Sequence, residues 1–122
     1  MPIWTWPDSL DALVAAPKHH TLLLENERVR VLDTRVAAGE TTPVHTHRWP
    51  SVMYIVCWGD YVRRDGDGNV VLDTRVTPKK LDPGTVVWYA PLPPHSLENV
   101  GTSEIHVVAV ELKDFPPPVA EA

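Results

Sequence analysis

Gly39-Glu40-Thr41-Thr42-Pro43-Val44-His45-Thr46-His47 is the stretch on which the reading of this chain turns. Ala38-Gly39 marks a turn, and residues 44–47 read as a short strand. Two histidines at i and i+2 on a strand project to one face. That spacing aims two imidazoles at a common point, and neutral imidazole is the commonest protein ligand for zinc, iron, copper and nickel. A His-x-His pair alone is a weak signal. A third nitrogen must come from another strand. His95, which follows a Pro-rich turn and leads Ser96-Leu97-Glu98-Asn99, is best placed to supply it.

Working outward, everything after residue 20 reads as short strands: 21–25, 28–36, 44–47, 51–58, 61–64, 70–76, 86–90, 96–100 and 106–113. Asp65-Gly66-Asp67-Gly68-Asn69 is a strong hairpin turn and Asp82-Pro83-Gly84 another. Many short strands with Gly/Pro turns point to an all-β sandwich or barrel. Ahead of it, Asp8 is placed to cap a short helix, with Asp11 three residues on resembling a capping box and Pro17 ending it. Trp4 and Trp6 lie on one face of an extended lead-in. The chain divides into a helical segment at about 1–20, a barrel at about 21–113 and a Pro-rich tail at 114–122, all one domain. Val31-Leu32-Asp33-Thr34-Arg35-Val36 recurs as residues 71–76, which reads as two similar strands of one barrel. Asp65 to Asn69 imitates the start of a calcium loop. Val70 stands where that loop needs glycine and Val76 where it needs glutamate, so it is a turn.

Composition narrows the function classes. At 122 residues, 43% hydrophobic and 22% charged, the chain suits one globular domain with a real core. A net charge of -5 argues against a nucleic-acid partner, and no basic amphipathic stretch suggests a membrane surface. The start lacks a signal-peptide pattern, and the single cysteine, Cys57, allows no internal disulfide; a cytoplasmic protein is expected.

Glycine, five residues, His-x-His, then glycine in register (Gly39, His45, His47, Gly59), followed by Gly84, His95 and Asn99 in a second block, resembles the two motifs of the cupin superfamily. The resemblance covers about residues 28–113. It implies a double-stranded β-helix, or jelly-roll, barrel with a short N-terminal helix ahead of it. It also implies a divalent transition metal (Fe, Ni, Mn, Zn or Cu) on His45, His47 and His95. The chain departs from the family where the first motif has glutamate: Val52 stands there, or Ser51 with the shorter spacing. Ala90 and Leu92 replace the second motif's proline and glycine. Three neutral histidines leave the ion's charge uncompensated, which favours an anionic chelating ligand and leaves positions open for it.

The other candidates are weaker. Val52 and Tyr54 share a strand face, so Val52 lines the pocket and Tyr54 is the one side chain offered as a catalytic base. Arg48 and Trp49 sit at the barrel mouth, Arg48 clamping a carboxylate or forming a surface salt bridge. Trp88 is pocket wall or core, as are Trp58 and Tyr89. Cys57 is expected to be a buried inert thiol, and Glu98 and Asn99 to shape a turn. His19 and His20 are expected in an exposed loop, and His106 is expected to be structural. The functional expectation is a metal-dependent oxygenase or isomerase acting on a small anionic chelating molecule. The alternatives are a non-catalytic small-molecule binder and a barrel whose histidines only hydrogen-bond. A homodimer is expected through Trp4, Trp6 and strand 21–25.

Overall fold

The computed structural model describes residues 4–114. A 3-10 turn, Asp8–Leu10, leads into a one-turn helix, α1 (Ala12–Ala15). Asp11, not Asp8, caps it: its carboxylate accepts from the Leu13 amide at 3.0 Å. The nine strands are β1 (His20–Glu25), β2 (Val29–Val36), β3 (His45–His47), β4 (Ser51–Cys57), β5 (Tyr61–Asp65), β6 (Val70–Asp73), β7 (Val86–Tyr89), β8 (Leu92–Asn99) and β9 (Ile105–Leu112). The nine expected strands are present in order, but β8 begins at Leu92, so the Pro-rich segment before His95 is strand and not turn, and the strand expected over 70–76 ends at Asp73. The Pro-rich segment after residue 114 lies outside the described residues.

Two antiparallel sheets face each other, ordered β1-β2-β9-β4-β7 and β3-β8-β5-β6. β9 shows how the sequence encodes the sandwich. Ile105, Val107, Ala109 and Glu111 are buried and the residues between them are not, so one face of the strand is core. Val36, Tyr61 and Ile105 form the closed end, with Trp58, Leu72 and Leu97 packed on them. Gly39 and Gly84, the opening glycines of the two histidine segments, both have positive φ, 84° and 90°. These turns need a left-handed residue, and glycine adopts it without steric cost.

The repeated hexapeptide does not fold twice the same way, which corrects the reading of two like strands. The first copy lies wholly in β2, while the second leaves its strand after Asp73. β2 is held on both sides, by β1 and β9. β6 is an edge strand, where Asp73 instead accepts from the Arg75 amide at 3.0 Å and turns the chain. The 65–69 turn is a hairpin turn, with Asp65 accepting from the amides of Asp67 and Asn69.

Asn99 is fully buried and pins the turn after β8. Its amide donates to Val36 O (2.9 Å) and Ser103 O (2.8 Å) and accepts from the Gly101 amide (3.0 Å). Asn99→Ala is expected to cost about 2–4 kcal/mol, because it orphans buried backbone groups. Urea unfolding measures this, and a loss within experimental error would contradict the role.

Candidate metal centre

β3 pairs with β8 so that His45 stands directly opposite His95, while His47 lies two residues along β3 on the same face. The rings of His45 and His95 are 4.4 Å apart between centroids, and those of His47 and His95 are 5.6 Å apart. The structure adds a fourth imidazole. His20, at the start of β1, lies 4.8 Å from the His45 ring and 5.3 Å from the His47 ring. The potential ligand atoms of His20, His45 and His47 all lie within 4.8 Å of one another.

His19 and His20 are each only 4% exposed, which corrects the expectation of an exposed loop. Ala12 and Ala16 are fully buried, and after exposed Pro17 and Lys18 the chain turns back inward at His19 and His20. His20 alone lines the cavity, while His19 is held by Arg35 O at 3.0 Å. No motif marks His20 in the sequence. The signal available was the alternation of the strand starting beside it, which puts one of two adjacent histidines inward.

Every one of the four imidazoles is anchored through Nδ1. His20 Nδ1 bonds Ala16 O (3.0 Å), His45 Nδ1 bonds Pro43 O (2.7 Å) and His95 Nδ1 bonds Pro93 O (2.7 Å). A carbonyl only accepts, so these Nδ1 atoms carry the proton, and in the neutral ring Nε2 is left with its lone pair. His47 Nδ1 meets Glu111 Oε2 at 3.1 Å, which fixes the same tautomer. Hydrogen bonds of this kind to the other ring nitrogen orient metal-ligating histidines in known sites.

Burial, and then the charges of the neighbouring rings, hold these histidines neutral. His20 and His47 are pushed down to about 3 and His95 to about 2, while His45 is lowered by burial. The metal-free unfolded chain has ordinary histidines near 6.5 and binds more protons below that pH. Folding stability is therefore complete above about pH 6.5 and falls as pH drops toward 3. Denaturation of metal-free protein between pH 8 and 4 is expected to show this loss, and His95→Gln is expected to flatten it; a pH-independent stability would contradict the burial.

Glu111 is the carboxylate that sequence reading missed. It is 1% exposed and is the cross-strand partner of Ser51, where the shorter motif spacing puts glutamate. The charge absent from β4 thus stands one strand over, on β9. Arg30 Nε meets Glu111 Oε1 at 2.6 Å, and the same guanidinium takes both Asp11 oxygens at 3.0 and 2.9 Å. Burial raises the Glu111 pKa and Arg30 opposes it. Trp49 covers Arg30 at 5.0 Å.

Other expected site residues fall differently. Trp49 lines the cavity. Val52 and Tyr54 do not, because Ser51 and Met53 occupy the inward face of β4. The three-residue spacing from His47 holds, and a one-residue register change flips the whole strand. Tyr54 is 49% exposed on the outer face, so it is not the pocket's base. Trp88, 55% exposed beside Val52, also lies outside the cavity, whereas Trp58 and Tyr89 line it. Arg48 binds Asp8 at 3.0 Å as a surface ion pair. Cys57 is half-buried. His106 bonds Asp33 at 2.5 Å, outside the cluster.

Similar solved structures decide the architecture. A cupin domain from Bordetella pertussis superposes with a TM-score of 0.62 at 24% identity, covering 77% of this chain and 91% of the other. The fold is a cupin fold. A cupin from Methanocaldococcus jannaschii described as a double-stranded β-helix matches at TM-score 0.52 and 15% identity, over 76% of this chain and 77% of its own. The polyketide cyclase RemF from Streptomyces resistomycificus matches at 0.52 and 19%, over 88% and 73%. No family model and no curated protein matches the sequence of this chain. Among its described residues no helix is long and apolar enough to cross a membrane.

Proposed function

We propose that this cupin binds a divalent transition metal on His45, His47 and His95 together with His20, and presents it to a small chelating molecule. The observation that carries this reading is the convergence of imidazoles whose Nδ1 protons are all committed elsewhere. A structural role for four such rings would leave their Nε2 lone pairs turned to a shared cavity with no donor to meet them. The donor set fits the group: neutral nitrogen ligands suit zinc, iron, copper and nickel. Nitrogens around an ion at 2.0–2.1 Å are at most about 4.2 Å apart. The ligand atoms of His20, His45 and His47, within 4.8 Å of one another, therefore close with small ring movements, and His95 stands opposite His45 with its ring 4.4 Å away between centroids.

A bound ion would supply Lewis acidity and lower the pKa of a hydroxyl it holds. The chain's own contribution is orientation and dryness. Trp49 and Met53 wall the cavity, and Arg30 with Glu111 fixes His47. With Tyr54 outside the cavity and Glu111 engaged by Arg30, no free carboxylate lines the cavity among the described residues. This favours a binder, or an oxygenase or isomerase whose proton transfers use the substrate's own groups. Incubating metal-loaded protein with chelating hydroxy- and oxo-acids separates the two: consumption identifies an enzyme, and unchanged recovery with thermal stabilisation identifies a binder. Neither stabilisation nor consumption with any metal would overturn the reading.

A homodimer belongs to the same proposal, as does a cytoplasmic location. β1 is an edge strand carrying exposed Leu22, Leu23 and Leu24, and the Trp4 and Trp6 rings pack edge-on at 4.7 Å. Asp11 pairs with Arg30, so deleting the N-terminal segment would damage the barrel itself. Leu22→Glu with Leu24→Glu is the cleaner test. Sedimentation is expected to show a wild-type dimer and a monomeric variant, and an unchanged dimer would remove β1 from the interface.

A further inference from the structure

The cavity, a space of about 90 Å³ in all, runs from the histidines into the closed end of the barrel. That end is apolar, walled by Val36, Leu97, Ile105 and Val107. Two polar groups interrupt it. Tyr61 is 0% exposed, and its hydroxyl has no hydrogen-bond partner. Tyr89 and Arg63 are its polar neighbours, near enough to act on its ionisation, and the Tyr89 hydroxyl takes its own bond from Lys79 Nζ at 2.9 Å. Arg63 Nε is likewise buried and unpartnered, and Arg63 makes no ion pair among the described residues. The guanidinium stands 5.8 Å from the Tyr61 ring. β5 pairs Arg63 with Leu97, two residues along β8 from His95, so the two groups sit on the wall just beyond the metal site.

Buried donors without acceptors are rare in native proteins and need an explanation. Of the three such side-chain atoms among the described residues, two face this one cavity; the third belongs to Arg48, at the surface ion pair with Asp8. Both are donors, one of them charged, and the imidazoles beside them are neutral. The acceptor they lack is therefore an anionic oxygen, and the wall around it is apolar.

We infer that the closed end of the cavity is an anchor for a small carboxylate with an apolar body, held by Arg63 and the Tyr61 hydroxyl. The body lies among Val36, Leu97, Ile105 and Val107, leaving any further oxygen of the ligand to face the histidines. The cavity is small beside the roughly 300–1,000 Å³ of pockets for drug-sized ligands, so the fit is to a short-chain or single-ring acid. This rests on reading the cavity as a small-molecule pocket, but not on metal being bound.

The probes are benzoate and butanoate against their uncharged counterparts benzamide and butanamide, with binding read by calorimetry on metal-free and metal-loaded protein. The acids are expected to bind and the amides to bind at least tenfold more weakly. Arg63→Met is expected to weaken acid binding about tenfold or more, as loss of a charged hydrogen bond does. Arg64→Met, whose guanidinium pairs with Glu98 at 2.9 Å, is expected to leave it unchanged. Tyr61→Phe supplies a second readout. Removing an orphaned hydroxyl is expected to raise the melting temperature of ligand-free protein while weakening acid binding. Acid binding that survives Arg63→Met, or a Tyr61→Phe protein that melts lower, would overturn the anchor. A wild type that takes metal but no acid also overturns it and leaves the metal reading standing. A wild type that takes acid but no metal does the reverse.

Discussion

Arg30→Met is expected to destabilise the metal-free barrel by about 3–5 kcal/mol, the usual cost of removing one partner from a buried ion pair. Arg30 is the only cation bonded to Glu111 among the described residues, and it also takes both oxygens of Asp11. Without it two carboxylates face each other in a desolvated layer beneath the histidines. The cost comes from the charge left behind more than from the bond lost. Replacing Arg30 and Glu111 together, by methionine and leucine, is therefore expected to recover much of the stability while releasing His47 from its Nδ1 partner. Urea unfolding of the single and double variants measures both effects. A single-variant loss below about 1 kcal/mol would show that water reaches this layer and that Glu111 needs no cation.

The second large effect concerns His20. If it is a ligand, His20→Ala should weaken zinc or nickel binding by more than about 100-fold, since even outer-shell partners of metal ligands cost 10–100-fold. His19→Ala, one residue earlier but turned to Arg35 O, and His106→Ala, bonded to Asp33, should leave affinity unchanged. Competition titration with a chromophoric chelator gives the three values side by side. Equal affinity in His20→Ala and wild type would return the site to His45, His47 and His95 alone.

Much of the fold was legible because it depends on local signals. Gly39 and Gly84 stand where positive φ is needed, Asp65 to Asn69 turn a hairpin, and β-branched runs lie between them. His45 and His47 announce themselves by period-2 spacing, and His95 by its motif. The features that stayed hidden depend on three-dimensional register. A one-residue ambiguity after His47 turned Val52, Tyr54 and Trp88 outward and Ser51 inward. Glu111 lies 64 residues from His47 along the chain and reaches it only because β9 pairs with both β2 and β4. His20 looked like loop because the helix ahead of it is a single turn, too short to show periodicity. The second copy of the repeated hexapeptide leaves its strand because β6 is an edge, which six identical residues cannot encode.

The central claim is that the four imidazoles form a metal site, and elemental analysis of untagged protein tests it most directly. Wild type reconstituted with Zn(II), Ni(II) or Fe(II) and desalted is expected to retain close to one ion per chain, with His45→Ala and His95→Ala retaining little. A folded wild type that retains no ion under these conditions, or variants that retain as much as wild type, would contradict it.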